Sequence, residues 1–283
     1  MNLSEQYFSA RSRNQDCPMQ EKKLYPRISV VIPTRNEAPN LHYVLPYIPA
    51  LVSEIILVDG HSTDDTVEVA RQLLPDICVI HQARHGKGDA LRLGFAACTG
   101  DIIVMIDADG STDPGEIPRF IDTLLQGNDF AKGSRFLKDG DSHDITPLRS
   151  LGNYGLSMLV NIFFGVRYSD LCYGYNAFWR HCLDSIRIDC DGFEVETLIN
   201  IRIHKANLKI AEVPSIERPR LFGQSNLRTF RDGWRVLKII IKERFSTLPP
   251  LPQPAARAVS HNLEKMISAT EQPASVSTKK LVL

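Results

Sequence analysis

The chain has 283 residues, enough for one large domain or two small ones, and its 43% hydrophobic content allows a substantial core. Its 33 basic and 33 acidic residues balance, which argues against general nucleic-acid binding. The longest apolar run, residues 156–166, is broken by Asn161 and is too short to cross a membrane. The six cysteines show neither a C-x-x-C pair nor zinc-like spacing, so we expect reduced thiols in a cytoplasmic protein.

The two ends of the chain differ in composition from its middle. Residues 1–25 are polar and lack the apolar core of a signal peptide. Residues 246–283 are rich in Pro, Ser, Gln and Ala and begin near a proline-rich run at 249–254. We therefore predict a flexible N-terminal segment at 1–25 and a flexible tail at 246–283.

Strand and helix patterns alternate from residue 28 onward. Helical patterns separate continuous apolar runs, which predict strands that are buried on both faces. The predicted strands are 28–32, 54–58, 77–81 and 102–106, and the predicted helices are 40–51, 63–74 and 88–98. This order is typical of an α/β protein with a Rossmann-like, mostly parallel central sheet flanked by helices. Open sheets of this kind bind ligands at the carboxyl ends of their strands.

Each predicted strand ends in a polar cluster, and the last cluster carries two aspartates. Asp107 and Asp109 are one residue apart after a buried strand, so both side chains face the same way. Paired carboxylates suit a hard cation such as Mg²⁺ or Mn²⁺, which proteins often share with nucleotide phosphates. The simpler interpretation is a helix cap in a solvated turn. The chain has neither a Walker loop nor a correctly spaced dinucleotide fingerprint.

Taken in order, these motifs resemble those of the family 2 inverting glycosyltransferases, which have the GT-A fold. The matching segments are 31–37, 56–64, 86–90, 100–101 and 107–109. The likeness extends to the branch of dolichyl-phosphate mannosyltransferases and other polyprenyl-phosphate glycosyltransferases through residues 133–135, 170–178 and 210–227. That branch moves a sugar from a nucleotide to a polyprenyl phosphate. The resemblance implies a GT-A domain at 26–227.

The resemblance also implies the donor site of a metal-dependent hexosyltransferase that uses a GDP- or UDP-hexose, with mannose or glucose as the sugar. Asp107 and Asp109 are the implied ligands of Mg²⁺ or Mn²⁺. Asp109 is an implied catalytic residue because the cation stabilises the charge that develops on the leaving nucleoside diphosphate. The implied nucleotide-sugar-binding residues are Pro33, Asn36, Glu37, Asp59, Lys87 and Asp107.

Arg135 and Arg149 match the two arginines that hold the acceptor phosphate in that branch. A guanidinium group is permanently charged and bidentate, which suits a phosphate. An ionised phosphate oxygen needs no general base, whereas a hydroxyl acceptor needs one, and Asp170, Glu194 and Glu196 are the candidates for that base. The predicted catalytic set is therefore Asp109, Arg135 and Asp170.

Two alternatives remain open at the level of sequence. The first is transfer to a sugar hydroxyl in surface-polysaccharide or glycolipid assembly. The second is a nucleotide-binding scaffold with impaired catalysis, which is motivated by departures from the family pattern. Gly60 and His61 replace the usual Asp-Gly pair, Ser111 replaces a metal-binding glutamine, and Asn226 replaces a lysine.

Residues 228–245 have the pattern of an amphipathic helix. Basic residues recur at spacings of three and four at Arg228, Arg231, Arg235, Lys238 and Lys242, and an apolar stripe lies beside them at Phe230, Trp234, Leu237, Ile241 and Phe245. Such a helix can lie on an anionic membrane, or it can pack on the domain with a solvated basic face. The sequence therefore predicts a peripheral protein at the cytoplasmic face of a membrane, with room for a membrane-embedded partner protein.

Overall fold

The computed structural model describes residues 25–246 except Asn226. The segments predicted to be flexible lie outside this range apart from their inner boundary residues. The strands are β1 (Ile28–Thr34), β2 (Glu54–Asp59), β3 (Cys78–His81), β4 (Ile102–Met105), β5 (Phe130–Ser134), β6 (Asp141–Ser142), β7 (Asn176–Trp179), β8 (Ile210–Pro214) and β9 (Ile216–Glu217). The α-helices are α1 (Ala38–Leu41), α2 (Thr66–Leu73), α3 (Lys87–Ala97), α4 (Ile117–Leu125), α5 (Pro147–Phe164), α6 (Leu183–Ile186), α7 (Val195–Lys205) and α8 (Thr229–Phe245).

Seven of these strands form the central sheet, in the order β3-β2-β1-β4-β7-β5-β8. Strands β1 to β4 run parallel to one another, and β8 runs parallel to β5. Strand β7 is antiparallel to both of its neighbours, β4 and β5. The predicted α/β fold with a mostly parallel sheet is therefore confirmed, and the carboxyl ends of β1 to β4 meet at one edge. Strands β6 and β9 form a separate two-stranded sheet.

Helices cover both faces of the sheet. Val30 and Ile32 of β1 pack on one face with Phe120 of α4, whereas Val31 packs on the other face with Phe95 of α3. Strands β1 and β4 are buried on both faces and have no solvated side, which explains their mostly apolar sequences. The prediction is wrong for β3, because this strand lies at the sheet edge and its Cys78 and His81 are exposed.

The predicted helix at 40–51 is wrong. The chain instead forms the short helix α1 and a separate 3₁₀ turn, Leu45–Tyr47. Pro46 explains the break, because it has no N–H group to donate to a continuing helix. The other predicted helices are present with shifted ends, for example Thr66–Leu73 within the predicted 63–74.

Helix α8 packs on α5 and α7 through a set of side chains that differs from both predicted stripes. Val236, Ile239 and Ile240 are buried, while the predicted apolar stripe leaves Phe230 and Trp234 exposed. The basic residues of α8 are also exposed, so both predicted stripes face away from the domain. Among the helices that the structure describes, none is both long and apolar enough to cross a bilayer.

A buried ion-pair cluster anchors the last turn of α8 to α7. Glu243 accepts hydrogen bonds from Arg202 Nη2 at 2.7 Å and from Lys205 Nζ at 3.0 Å, and its side chain is fully buried. Burial alone would raise the pKa of Glu243, but these two cations hold it below its usual value.

Replacing Glu243 with glutamine should lower the free energy of unfolding by about 3 kcal/mol at neutral pH, because it leaves buried cationic charge without its partner. Since the pKa of Glu243 is lowered in the folded state, its stabilisation is complete above the unfolded carboxyl pKa of about 4.3 and is lost as the pH falls through the folded value. Urea unfolding of the Glu243→Gln variant from pH 7 to pH 3 measures this effect. The control is Glu68→Gln at an exposed position. An equal loss of unfolding free energy in both variants at pH 7 would contradict the prediction.

Candidate active site

The loops after β1 and β2 are fastened to each other at the carboxyl edge of the sheet. Thr34 lies opposite Asp59 in the parallel pair, and Asn36 Oδ1 accepts a hydrogen bond from Thr63 N at 2.7 Å. Asn36 has a left-handed backbone conformation with a φ of 56°, which asparagine tolerates better than most residues. This arrangement brings Asn36 and Asp59 together with the half-buried Pro33, as the sequence predicted.

Asp59 is held on both of its carboxylate oxygens. Its Oδ1 accepts a hydrogen bond from Ser62 N at 3.2 Å, and its Oδ2 lies 3.2 Å from His81 Nδ1 at the end of β3. The nearby rings of His61 and His85 lie 4.5 Å apart, beside this loop pair. The carboxylate of Asp59 therefore has a fixed orientation, which suits recognition of a ligand group.

Lys87 lies between two carboxylates at the start of α3. Its Nζ is 2.5 Å from Asp107 Oδ1 and 2.7 Å from Glu196 Oε1. Burial alone would lower the pKa of Lys87, but the two carboxylates raise it above its usual value, so the ammonium stays charged. A Cβ on Gly174 would lie 2.9 Å from Lys87 Nζ, so a larger residue there would have to displace the ammonium group. The ion pair fixes the Asp107 carboxylate at the edge of the site.

Arg220 bridges the other aspartate of the pair to the loop after β1. Its Nη2 donates to Asp109 Oδ2 at 3.0 Å, and its Nη1 donates to Glu37 Oε1 at 2.8 Å. The remaining oxygen of Asp109 accepts from Ser111 N at 3.0 Å and from Ser111 Oγ at 2.7 Å. Burial raises the pKa of Glu37, and Arg220 offsets only part of that rise. One guanidinium group thus holds two predicted donor-site carboxylates together.

The carboxylates of Asp107 and Asp109 fit a hard divalent cation. They follow the same buried strand, and the cationic groups now paired with them, Lys87 and Arg220, show that this edge attracts positive charge. Within residues 25–246, leaving out Asn226, no three His, Cys, Asp or Glu side chains are grouped closely enough to hold a metal ion. Asp107 and Asp109 would hold such a cation, and Ser111, water or a diphosphate would supply the other oxygens.

Arg135 and Asp170 form a buried ion pair at the end of β5. Arg135 Nε donates to Asp170 Oδ2 at 2.7 Å, and Arg135 Nη1 donates to Glu217 Oε2 at 3.0 Å. Asn153 Nδ2 donates to Asp170 Oδ1 at 3.1 Å. Burial alone would raise the pKa of Asp170, but Arg135 lowers it below its usual value. The structure thus pairs these two residues with each other, and their catalytic roles remain predictions.

Arg149 shares a polar pocket with Arg220, whereas the guanidinium of Arg135 is held by Asp170 and Glu217. The pocket has a volume of about 440 Å³, and we call it the arginine pocket; it is lined by Asp144, Thr146, Arg149, Arg220, Gly223, Ser225 and Thr229. Arg149 Nε donates to Thr229 Oγ1 at 3.4 Å and its Nη2 donates to the Leu227 carbonyl at 3.4 Å, both at the long end of the range. These long hydrogen bonds hold the guanidinium group of Arg149 only loosely.

An apolar groove of about 890 Å³ begins beside the arginine pocket. Its walls include Phe136, Pro147, Leu151, Tyr154, Met158 and Ile162. The first turn of α5 contributes to both cavities, because Thr146 and Arg149 line the pocket while Pro147 and Ser150 line the groove. The polar arginine pocket and the apolar groove therefore meet at the start of α5.

Sequence reasoning missed Arg220, Glu217 and Asn153. Arg220 is 111 residues from Asp109 and 183 residues from Glu37, so no local spacing links them. The only local signal is the segment 217–220, in which three charged residues surround Pro219. Asn153 was hidden in the apolar pattern of α5, where it points inward to Asp170.

The chain belongs to the family described as Glycosyl transferase family 2, whose profile matches residues 29–186. It is 32% identical over 211 residues to the dolichol-phosphate mannosyltransferase of Pyrococcus furiosus, covering 71% of this chain and 59% of that protein. It is 30% identical over 219 residues to the dolichyl-phosphate hexose transferase of Haloferax volcanii, covering 76% of this chain and 92% of that protein. The low-salt glycan biosynthesis hexosyltransferase Agl6 of H. volcanii is 29% identical, and the chain spans only 54% of its length.

Solved structures agree with this assignment at the level of the fold. The glucosyl-3-phosphoglycerate synthase of Mycobacterium tuberculosis, in complex with Mn²⁺, UDP and glucosyl-3-phosphoglycerate, superimposes with a TM-score of 0.64. The match covers 80% of this chain and 82% of that chain at 24% identity. The protein is therefore a glycosyltransferase with the GT-A fold, and the resemblance inferred from the sequence is confirmed.

Proposed function

We propose that the protein transfers a hexose, mannose or glucose, with inversion from a GDP- or UDP-hexose to a polyprenyl phosphate. The observation that carries this proposal is the meeting of the arginine pocket and the apolar groove at the first turn of α5. A polyprenyl phosphate has an anionic head and a long apolar tail, so it matches both cavities at once. The names of the dolichol-phosphate mannosyltransferase and the dolichyl-phosphate hexose transferase support the same acceptor.

In this proposal the donor binds at the carboxyl edge of the sheet. Pro33, Asn36, Glu37 and Asp59 line the nucleoside pocket, and Lys87 keeps Asp107 in position. Asp107 and Asp109 hold Mg²⁺ or Mn²⁺, which supplies positive charge to the leaving diphosphate when it is bound. The structures of the mycobacterial synthase with UDP and either Mn²⁺ or Mg²⁺ support this metal class.

The reaction needs no general base when the acceptor is a phosphate. An ionised phosphate oxygen attacks the anomeric carbon from the face opposite the diphosphate, and the bond to the diphosphate oxygen breaks with its electron pair. Arg149 binds the acceptor phosphate across the pocket from Arg220. Arg135, which the sequence assigns to the same phosphate, lies beside Phe136 at the groove, with its guanidinium held by Asp170 and Glu217.

We place the protein at the cytoplasmic face of a membrane through α8. Phe230 and Phe245 are 82% and 80% exposed, and Trp234 is also exposed beside the basic residues of the helix. An exposed aromatic residue among lysines and arginines suits the interface of an anionic membrane. The cysteines of the described residues are free, which supports a reducing compartment. A membrane-embedded partner protein would bind at the exposed aromatic and basic face of α8.

Replacing Arg149 with glutamine should raise the KM for farnesyl phosphate by about 10-fold or more, since it removes a charge-assisted hydrogen bond. The KM for the nucleotide sugar should stay near that of the wild type. Initial rates with a radiolabelled donor measure both constants, and the exposed Arg167→Gln is the matched control. An unchanged KM for farnesyl phosphate in Arg149→Gln would contradict the acceptor assignment.

A second acceptor class is favoured by one specific observation. The mycobacterial synthase was solved with phosphoglyceric acid, a small phosphorylated acceptor that needs an anion pocket but no apolar groove. Met158→Asp, which places a charge in the groove wall, separates the two classes. Wild-type transfer to farnesyl phosphate that is lost in Met158→Asp supports the polyprenyl acceptor. No wild-type transfer to farnesyl phosphate, together with equal activity of the wild type and Met158→Asp on a soluble hydroxyl acceptor, supports the alternative.

A further inference from the structure

Arg220 lies between Glu37 and Asp109, two carboxylates of the proposed donor site. A divalent cation would bring positive charge to the same place. The Arg220 guanidinium donates to Asp109 Oδ2 at 3.0 Å and to both oxygens of Glu37 at 2.8 and 3.0 Å. Its side chain is only 16% exposed, so water screens these pairs weakly. Glu37 and Asp109 therefore share an internal cation that the protein itself provides.

The loop that carries Arg220 is fixed on both sides of it. Arg218 N donates to the Ser111 carbonyl at 2.8 Å, and the Arg218 side chain donates to Asp113 Oδ2 at 2.8 Å. On the other side, Phe222 exchanges two hydrogen bonds of 3.1 Å each with the Asn40 side chain. The loop 218–224 thus holds the guanidinium over the end of β4.

Three hydrogen bonds occupy the Asp109 carboxylate, which leaves one lone-pair site on Oδ2 beside Arg220, and the side chain is 18% exposed. Ser111 donates two hydrogen bonds to Oδ1, and Arg220 covers Oδ2. A divalent cation that approaches Oδ2 meets a guanidinium group already bonded to the same atom, and like charges repel at this distance. A metal at Oδ2 would therefore lie beside the guanidinium group, and the repulsion between the two cations disfavours metal binding while Arg220 stays on Asp109.

We propose that Arg220 is an internal counter-cation that couples divalent-cation binding to the nucleotide diphosphate. Without nucleotide, Arg220 competes with the metal for Asp109 and keeps metal affinity low. A bound diphosphate gives the guanidinium a new anionic partner, which frees the carboxylate for the metal. By linkage, the metal and the nucleotide each raise the affinity for the other. This inference rests on the proposed function only in taking Asp109 as a metal ligand.

The test uses Mn²⁺ alone and the full-length protein. Free Mn²⁺ is measured by electron paramagnetic resonance during a titration without nucleotide. We expect Arg220→Gln to bind Mn²⁺ at least 10-fold more tightly than the wild type. Arg220→Lys keeps the charge but loses the bidentate fork, so its affinity should lie between the two.

Arg218→Gln is the matched control, because it removes an arginine from the same loop, while the backbone hydrogen bond of residue 218 to Ser111 and the two bonds between Phe222 and Asn40 still hold the loop. Its affinity for Mn²⁺ should equal that of the wild type. Adding GDP or UDP should tighten Mn²⁺ binding in the wild type by at least 10-fold, and by less in Arg220→Gln.

The inference fails if Arg220→Gln and Arg220→Lys both bind Mn²⁺ no more tightly than the wild type, or if Arg218→Gln tightens binding as much as they do. None of these readings depends on turnover. A wild-type enzyme that transfers no sugar to polyprenyl phosphate would contradict the proposed function and leave this coupling intact.

Discussion

An Asp109→Asn variant should keep its fold and lose hexosyl transfer by about 10³-fold. The amide still accepts the hydrogen bonds of Ser111, so the local turn is preserved. It has no negative charge, however, and cannot help to hold a divalent cation against the leaving diphosphate. The loss should therefore fall on kcat, with little change in the KM of the acceptor.

The Asp109 prediction has a close control in Asp113→Asn. Asp113 lies four residues further on and pairs with Arg218 of the same loop, outside the pair that would bind metal. Initial rates at saturating donor and acceptor, together with thermal unfolding, compare the two variants. An Asp109→Asn enzyme that retains more than about one tenth of wild-type kcat would exclude a catalytic metal role for Asp109.

Lys87→Met should have the second large effect, on stability and on activity together. Removing the ammonium leaves Glu196 buried and Asp107 partly buried without their shared counter-ion, which costs about 3–5 kcal/mol of unfolding free energy. Asp107 also loses its orientation, so transfer should fall by about 10²-fold. Urea unfolding and initial rates measure the two losses, with the exposed Lys138→Met as the control.

The double variant Lys87→Met with Glu196→Gln separates charge balance from catalysis. It removes the buried carboxylate charge that Lys87 had neutralised, so part of the lost stability should return. Activity should stay low, because Asp107 still lacks its ammonium partner. A Lys87→Met enzyme with wild-type stability would show that the ion pair contributes nothing to the fold.

The centre of the sheet was predictable because strands such as β1 and β4 are buried on both faces. An apolar run such as Ile102–Met105 has no solvated side to give it another pattern, and its polar end must lie at the sheet edge. The boundary of α1 was not predictable in the same way. Pro46 interrupts a stretch whose apolar spacing alone suggests one helix, and the choice of a 3₁₀ turn depends on packing against the sheet.

The position of the predicted donor-site residues at one sheet edge was predictable from the strand ends, whereas their ion pairs were not. Asp107 and Asp109 follow directly from strand β4, but the partner of Asp109, Arg220, comes from the loop after β9. Long-range pairs of this kind leave no periodic signal in the sequence. The packing of α8 was not predictable from its sequence pattern either. Its predicted basic and apolar stripes face outward, and Val236, Ile239 and Ile240 pack inward.

The most direct test of the proposed function is a single assay of the wild-type protein with Mn²⁺, a panel of UDP- and GDP-hexoses, and farnesyl phosphate, with the product identified by mass. We expect one donor to yield a hexosyl-phosphoryl-farnesol, whose mass exceeds that of farnesyl phosphate by one hexose residue. No product with any donor and farnesyl phosphate, together with hexose transfer to a soluble hydroxyl acceptor, would contradict a polyprenyl phosphate as the acceptor.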